Sequence, residues 1–194
     1  MVLYSLAWQA ILDDVDAFMG KSSGTVWFRG HSCAGYSLNS GLFRLRLPDI
    51  GSYIRLEQQF YHYYQNLGWL LHENAEGWQL LYSMQHHGAK TRLLDWTESF
   101  AAAVYFATRN WRQGQACIWM LDPLALNYRS LGKREVVIPT RERLPYPETY
   151  VSGGNQQSIA VYPLKNTVRI SAQHGVFTVQ GNLLEALDKE FGGA

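Results

Sequence analysis

The stretch 84–111, MQHHGAKTRLLDWTESFAAAVYFATRNW, sets two histidines, two arginines, an aspartate and a Thr-x-Ser pair against a run of small and aromatic residues. These polar types suit anion and sugar recognition. A guanidinium grips a phosphate or carboxylate through two parallel hydrogen bonds, and neighbouring hydroxyls orient a ribose or an amide. A further guanidinium comes earlier, in TVWFRG, where Arg29 must emerge from an apolar segment toward a carboxylate partner or a ligand anion. Two arrangements satisfy these charges. Arg29 and Asp95 form a buried ion pair that ties their segments together, or Asp95 holds Arg92 and leaves Arg29 for a ligand.

Other motif-like stretches carry less. MGKSSG at 19–24 imitates a phosphate loop, but that motif needs a glycine where Val15 stands and a strand before it, whereas a helical pattern precedes it here. GHSCA at 30–34 imitates a nucleophile elbow, yet GYSLNSGLFR, which follows, has no helical pattern to complete the turn. His31 and Ser32 are better read as hydrogen-bonding groups of a pocket. The six histidines are scattered, and the adjacent His86 and His87 diverge on any regular backbone, so no metal is expected. Cys33 and Cys117 are too few for a disulfide framework.

The balance of 17 Lys+Arg against 16 Asp+Glu leaves a net charge of +1, which argues against a global field for nucleic acid or an anionic membrane. Arg44, Arg46, Lys133, Arg134, Arg141 and Arg143 read as a solvated surface, with salt-sensitive nucleic-acid binding as the competing reading. No basic leader or membrane-length apolar run is present, and the expected setting is cytoplasmic.

A chain of 194 residues, 47% of them hydrophobic, is long enough for one core, and one domain over 1–194 is expected. Seven Trp and twelve Tyr are many for this length, and some of these rings should line a pocket or an interface.

Ser5 is placed to cap a helix with the stripe Trp8, Ile11, Leu12, Val15 and Phe18, ended by Gly20. TVWFRG predicts a strand. Helical spacing returns from about Ser52, with Leu56, Phe60, Tyr63 and Leu67 on one side, and from Asn74 to Gly88 through Trp78, Leu81, Tyr82 and Gln85. TRLLDWT predicts a strand, Ser99 caps FAAAVYFATRNW, and ACIWMLDP returns as a strand. The remainder reads as short strands, EVVIP, SIAVYP, TVRIS and VFTVQG, before a last helix from Asn182 with Glu185 at capping-box spacing. Helices first and strands later make the class α+β.

The blocks WFRGH, YSLNSGLFR, QHHGAKTRLLDWTESFAAAVYFA and VRISAQHGVFTV resemble the FRG domain family, named for its Phe/Tyr-Arg-Gly signature, over about 24–180. That resemblance implies bacterial or phage origins and a toxin, defence or counter-defence role. A more distant similarity joins it. Arg29 on a strand, a hydroxyl-bearing strand running into a helix of small residues, and a returning strand follow the order of the ADP-ribosyltransferases, which implies a split-sheet core and NAD as substrate.

By that similarity Arg29, flanked by Gly30 and His31, grips the dinucleotide, Thr97, Ser99 and Gln173 serve catalysis, and Trp96 or Tyr105 stacks on nicotinamide. Arg92, Asp95, Arg169 and His174 complete the pocket, and the acceptor is a protein or a nucleic acid. Those enzymes carry a late glutamate, but VRISAQHGVFTV has none. Glu98 and Glu148 are the remaining candidate carboxylates, although Glu98 also suits the start of a helix. RNA 2′-phosphotransferases, which also use NAD, are loosely similar in placing arginine and histidine there. The alternative is a non-enzymatic module that binds a partner protein through an aromatic face.

Overall fold

The computed structural model describes residues 5–67, 75–151, 156–163 and 175–192. Arg169, Gln173, His174, the segment TVRIS and the loop 152–155 lie outside them.

Five antiparallel strands form one sheet: β1 (Trp27–His31), β2 (Leu93–Thr97), β3 (Cys117–Leu121), β4 (Ile159–Val161) and β5 (Gly175–Val179), in the order β3-β1-β2-β5-β4. Six α-helices are described: α1 (Leu6–Lys21), α2 (Ile50–Leu67), α3 (Gly77–His86), α4 (Phe100–Arg109), α5 (Pro123–Leu131) and the short α6 (Glu148–Val151). Mixed helix and antiparallel sheet agree with the α+β expectation. No helix among the described residues is long and apolar enough to cross a membrane.

The local signals act as their chemistry requires. Ser5 caps α1 by accepting from Trp8 N at 3.2 Å, and Ser99 caps α4 by accepting from Ala102 N at 3.3 Å. Helix α1 runs through Gly20 to Lys21, so that glycine ends nothing. In α2 the buried positions are Tyr53, Glu57 and Tyr61, one helical face, while Tyr63 is exposed.

Alternation along the strands sorts the core into two faces. Phe28, Ile118 and Met120 pack with Val15 of α1 and Ala103 of α4, and farther along the same face Leu93, Phe177, Val179, Ile159 and Val161 pack with Trp78, Leu81 and Tyr82 of α3. The opposite face holds Trp27, Leu94, Trp96 and Val176 against Leu126 of α5 and Leu187.

Two close approaches set the geometry. A Cβ at Gly30 would stand 2.0 Å from Ala103 O and 2.5 Å from Ala107 N, so only glycine lets α4 lie this close to β1. Elsewhere, Arg92 is buried with its guanidinium donating to both carboxylate oxygens of Glu57, Nε to Oε1 at 2.7 Å. Its Nη1 reaches Gln180 O at 2.8 Å and Asn182 Oδ1 at 3.3 Å, Tyr146 Oη donates to Glu57 Oε1 at 2.8 Å, and the Tyr150 ring lies 4.1 Å from the guanidinium carbon. Burial alone would lower the Arg92 pKa, but the Glu57 carboxylate outweighs it and holds the group above the ordinary arginine value.

The sequence expectations fail where polar residues serve distant parts of the chain. No helix follows Asn182, because its side chain is spent on Arg92, Tyr150 O and Gln156 instead of capping. EVVIP forms a single bridge, Val137 to Val161, in place of a strand. The helix α5, started by Pro123 with Asp122 as its cap, begins where the expected strand ACIWMLDP ends, over a stretch for which no element was expected.

A buried pair that loses one member leaves the other uncompensated. Glu57→Ala should therefore destabilise the fold by about 3–5 kcal/mol in urea unfolding, while the paired replacement Glu57→Leu with Arg92→Met should cost markedly less than Glu57→Ala alone.

Candidate functional site

Strand β1 pairs with β3 at five positions and β2 pairs with β5 at five, yet β1 and β2 are bridged at one position only, Phe28 to Thr97. Beyond that bridge the two strands part. Arg29 spans the gap: its Nη1 donates to the main-chain oxygen of Asp95, a carbonyl that faces β1 without a ladder partner. The contact is with the backbone, so Arg29 and Asp95 do not form the expected side-chain ion pair.

A cleft of about 1020 Å³ opens at this gap. Strand residues Phe28, Arg29, Gly30, His31, Asp95, Trp96, Thr97, Gly175 and Phe177 line it, joined by Tyr82, Gln85 and His86 of α3 and Phe106 of α4. Tyr36, Asn39, Arg44 and Arg46 enter from the segment between β1 and α2.

The guanidinium of Arg29 is fixed at two points. Nε donates to His31 Nε2 at 2.9 Å, Nη1 is held by Asp95 O, and Nη2 has no hydrogen-bond partner among the described residues. Burial lowers its pKa to about 10, with Asp95 opposing and Arg44 adding to the fall, which leaves it a cation at neutral pH. Arg44 is steadied by Nε donation to Asn39 O at 2.9 Å. Arg46 follows the short turn Phe43–Leu45 with φ 53 and ψ 49, a left-handed conformation that costs a non-glycine residue about 1–2 kcal/mol.

His31 meets two donors, Arg29 Nε at one ring nitrogen and Trp119 Nε1 at the other, 3.2 Å from Nδ1. A neutral imidazole offers one lone pair and an imidazolium none, so a second proton has no favourable place here. Burial and the charges of Arg29 and Arg44 push its pKa down to about 4.

The carboxylate of Asp95 is exposed and oriented by a relay. Leu93 N donates to Thr91 Oγ1 at 3.1 Å, Thr91 donates to Gln85 Oε1 at 2.6 Å, and Gln85 Nε2 donates to Asp95 Oδ2 at 3.1 Å. Thr91 thereby fixes which end of the Gln85 amide faces the carboxylate.

Several of the residues singled out from sequence meet at the cleft: Arg29, Gly30, His31, Asp95, Trp96 and Thr97. Others lie elsewhere. Arg92 is buried in its network with Glu57, and not with Asp95, so it has no donor to offer a ligand. Ser99 is an N-cap and Tyr105 is exposed, its ring edge-on to Phe106, and neither lines the cleft. The Trp96 ring belongs to the core, with its N–H donated to Thr178 Oγ1 at 3.0 Å. Glu98 accepts from Tyr162 Oη at 3.1 Å outside the cleft, and Glu148 starts α6.

Sequence reading missed Arg44, Arg46, Tyr36, Gln85 and Phe106 as cleft residues. Arg44 and Arg46 alternate in FRLR, a pattern indistinguishable from surface charge until the turn brings both to β1. Of the other basic residues grouped with them, Arg143 pairs with Glu135 and Arg134 stacks 5.1 Å from the Tyr128 ring.

His31 supplies a pH test. Its folded pKa of about 4 lies below the ordinary 6.5, so the unfolded chain takes up a proton that the folded ring refuses. Stability from this group is complete above about pH 6.5 and is lost as pH falls toward 4. Thermal melts between those limits should show a steeper acid loss in wild type than in His31→Gln; equal slopes would remove His31 from the account.

No curated protein and no solved structure matches the chain. The family model for the FRG domain matches residues 24–116, a range that contains β1, α2, α3, β2 and α4 and every cleft residue named above except Gly175 and Phe177. The Arg-Gly of that signature is Arg29, reaching across the parted strands, and Gly30, against which α4 packs: the chain carries an FRG domain over residues 24–116.

Proposed function

We propose that this chain binds NAD in the cleft between β1 and β2 and transfers ADP-ribose from it to an acceptor. The observation that carries the reading is Arg29, held in the gap by His31 and Asp95 O with one terminal nitrogen unpartnered among the described residues. A guanidinium fixed in advance loses little freedom when it grips a pyrophosphate. Arg44 and Arg46 supply further positive charge to the same cleft, matching the two charges of a dinucleotide bridge.

The rest of the lining suits the rest of that ligand. Thr97, whose Oγ1 accepts from Ser99 N at 3.1 Å, lies beside the strand gap, and the exposed rings of Tyr36 and Phe106 offer faces for stacking. A volume of about 1020 Å³ is at the upper end for a small-molecule site and accommodates a dinucleotide. The acceptor is a protein or a nucleic acid, and the biological setting in toxin, defence or counter-defence systems rests on the FRG resemblance alone.

A second reading, a partner-binding module without catalysis, draws on Tyr105, Phe106 and Trp111, which are exposed together on α4 and just beyond it. It predicts neither stabilisation by NAD nor release of nicotinamide. Under the first reading, NAD at about 100 times its Kd should raise the Tm by roughly 5–10 °C. Free nicotinamide should appear over hours, and Arg29→Ala should lose both signals. Wild type that shows neither at millimolar NAD would sink the proposal.

A further inference from the structure

We infer that Asp95 supplies the carboxylate that engages the nicotinamide ribose, in the place of the glutamate missing from the late strand. The inference rests on the NAD reading of the cleft. Breaking the bond between nicotinamide and ribose gives C1′ oxocarbenium character, which a nearby negative charge stabilises.

Elimination narrows the choice among described residues. Glu98 is directed to Tyr162 and Glu148 to the start of α6, and neither lines the cleft, whereas Asp95 is the one carboxylate among the lining residues. Its setting is that of an oriented group. Gln85 occupies Oδ2, and Oδ1 has no hydrogen-bond partner among the described residues and is left to accept from a ribose hydroxyl. The relay from Leu93 N through Thr91 and Gln85 is built of a strand amide and a buried hydroxyl, so the carboxylate has a fixed direction.

Charge supports the same orientation of ligand. Arg29, Arg44 and Arg46 supply the positive charge of the cleft and Asp95 its negative charge, with Arg29 Nη1 resting on the Asp95 carbonyl. NAD carries the matching pair, an anionic pyrophosphate and a cationic nicotinamide ring. A ligand gripped by Arg29 at its phosphates thus lies beside Asp95, and the ribose next to the pyrophosphate is the part of it that the carboxylate can engage.

In the step itself the C1′ to nitrogen bond breaks and its electron pair moves into the ring, which leaves as neutral nicotinamide. An acceptor hydroxyl, or water, bonds to C1′, and its proton passes to Asp95 Oδ1 and on to solvent. NAD and the acceptor yield the ADP-ribosylated product, nicotinamide and one proton.

The test compares wild type, Asp95→Asn and Gln85→Ala, each incubated with NAD, following the Tm shift and the rate of nicotinamide release. Asp95→Asn keeps an acceptor for Gln85, and it should retain the NAD-induced shift while release falls by about 100-fold or more. Gln85→Ala leaves the carboxylate but frees it, and should lower kcat by about tenfold with KM little changed. Asp95→Asn that binds and releases at the wild-type rate would overturn the assignment while the NAD reading stands. Wild type without shift or release overturns both. If Asp95→Asn fails to fold, Gln85→Ala decides: a lowered kcat supports the assignment, and an unchanged one rejects it.

Discussion

A fully buried guanidinium has to be neutralised and hydrogen-bonded on every side, and the burial of Arg92 accordingly binds together parts of the chain far apart in sequence. Glu57 comes from α2, the Gln180 carbonyl and Asn182 from the segment after β5, and the rings of Tyr146 and Tyr150 from the region around α6. Because Arg92 immediately precedes β2, this network also sets where that strand begins. Leu93 then enters the core, and Asp95 and Thr97, two and four residues on along the same face, line the cleft.

The other side of the cleft is built by contact of backbone with backbone. Gly30 admits α4 to within the reach of a missing side chain, and the small residues Ala103 and Ala107 continue that close seam along the helix. Sheet continuity is given up next to this seam, where β1 and β2 share a single bridge. Arg29 restores a donor to the stranded Asp95 carbonyl, and in doing so places its remaining nitrogen at the opening. The two arginines thus divide their tasks by solvation: Arg92 is wholly satisfied by the protein, while Arg29 keeps unused hydrogen-bonding capacity at a cleft. His31, kept neutral by burial and by the charges of Arg29 and Arg44, steadies Arg29 without competing for an anion.

Much of the core architecture was legible because it is encoded locally. Serine caps, the apolar runs of β1, β2 and β3 and the small-residue helix after Ser99 all appear where their chemistry placed them. Partner choice among like charges was not. From sequence Asp95 is the partner expected for Arg92, and only the packing of α2 beside α3 makes Glu57 the one that is buried with it. For the same reason Asn182 looked like a helix cap and proved to be a core amide. The Asp122-Pro123 pair does carry a readable helix start, with a capping carboxylate and proline in the first turn, where the sequence reading takes Pro123 only as the end of a strand. The cleft itself, formed where two strands fail to pair, has no sequence signature beyond the arginine and glycine at its edge.

The proposed account stands or falls on where a dinucleotide sits. A crystal structure of the protein with NAD or ADP-ribose at saturating concentration would decide it. The account predicts the pyrophosphate within hydrogen-bond distance of Arg29 Nη2, with the nicotinamide ribose beside Asp95 and Arg92 untouched in its pair with Glu57. A dinucleotide bound away from the gap between β1 and β2, or a cleft that stays vacant at saturation, would contradict it.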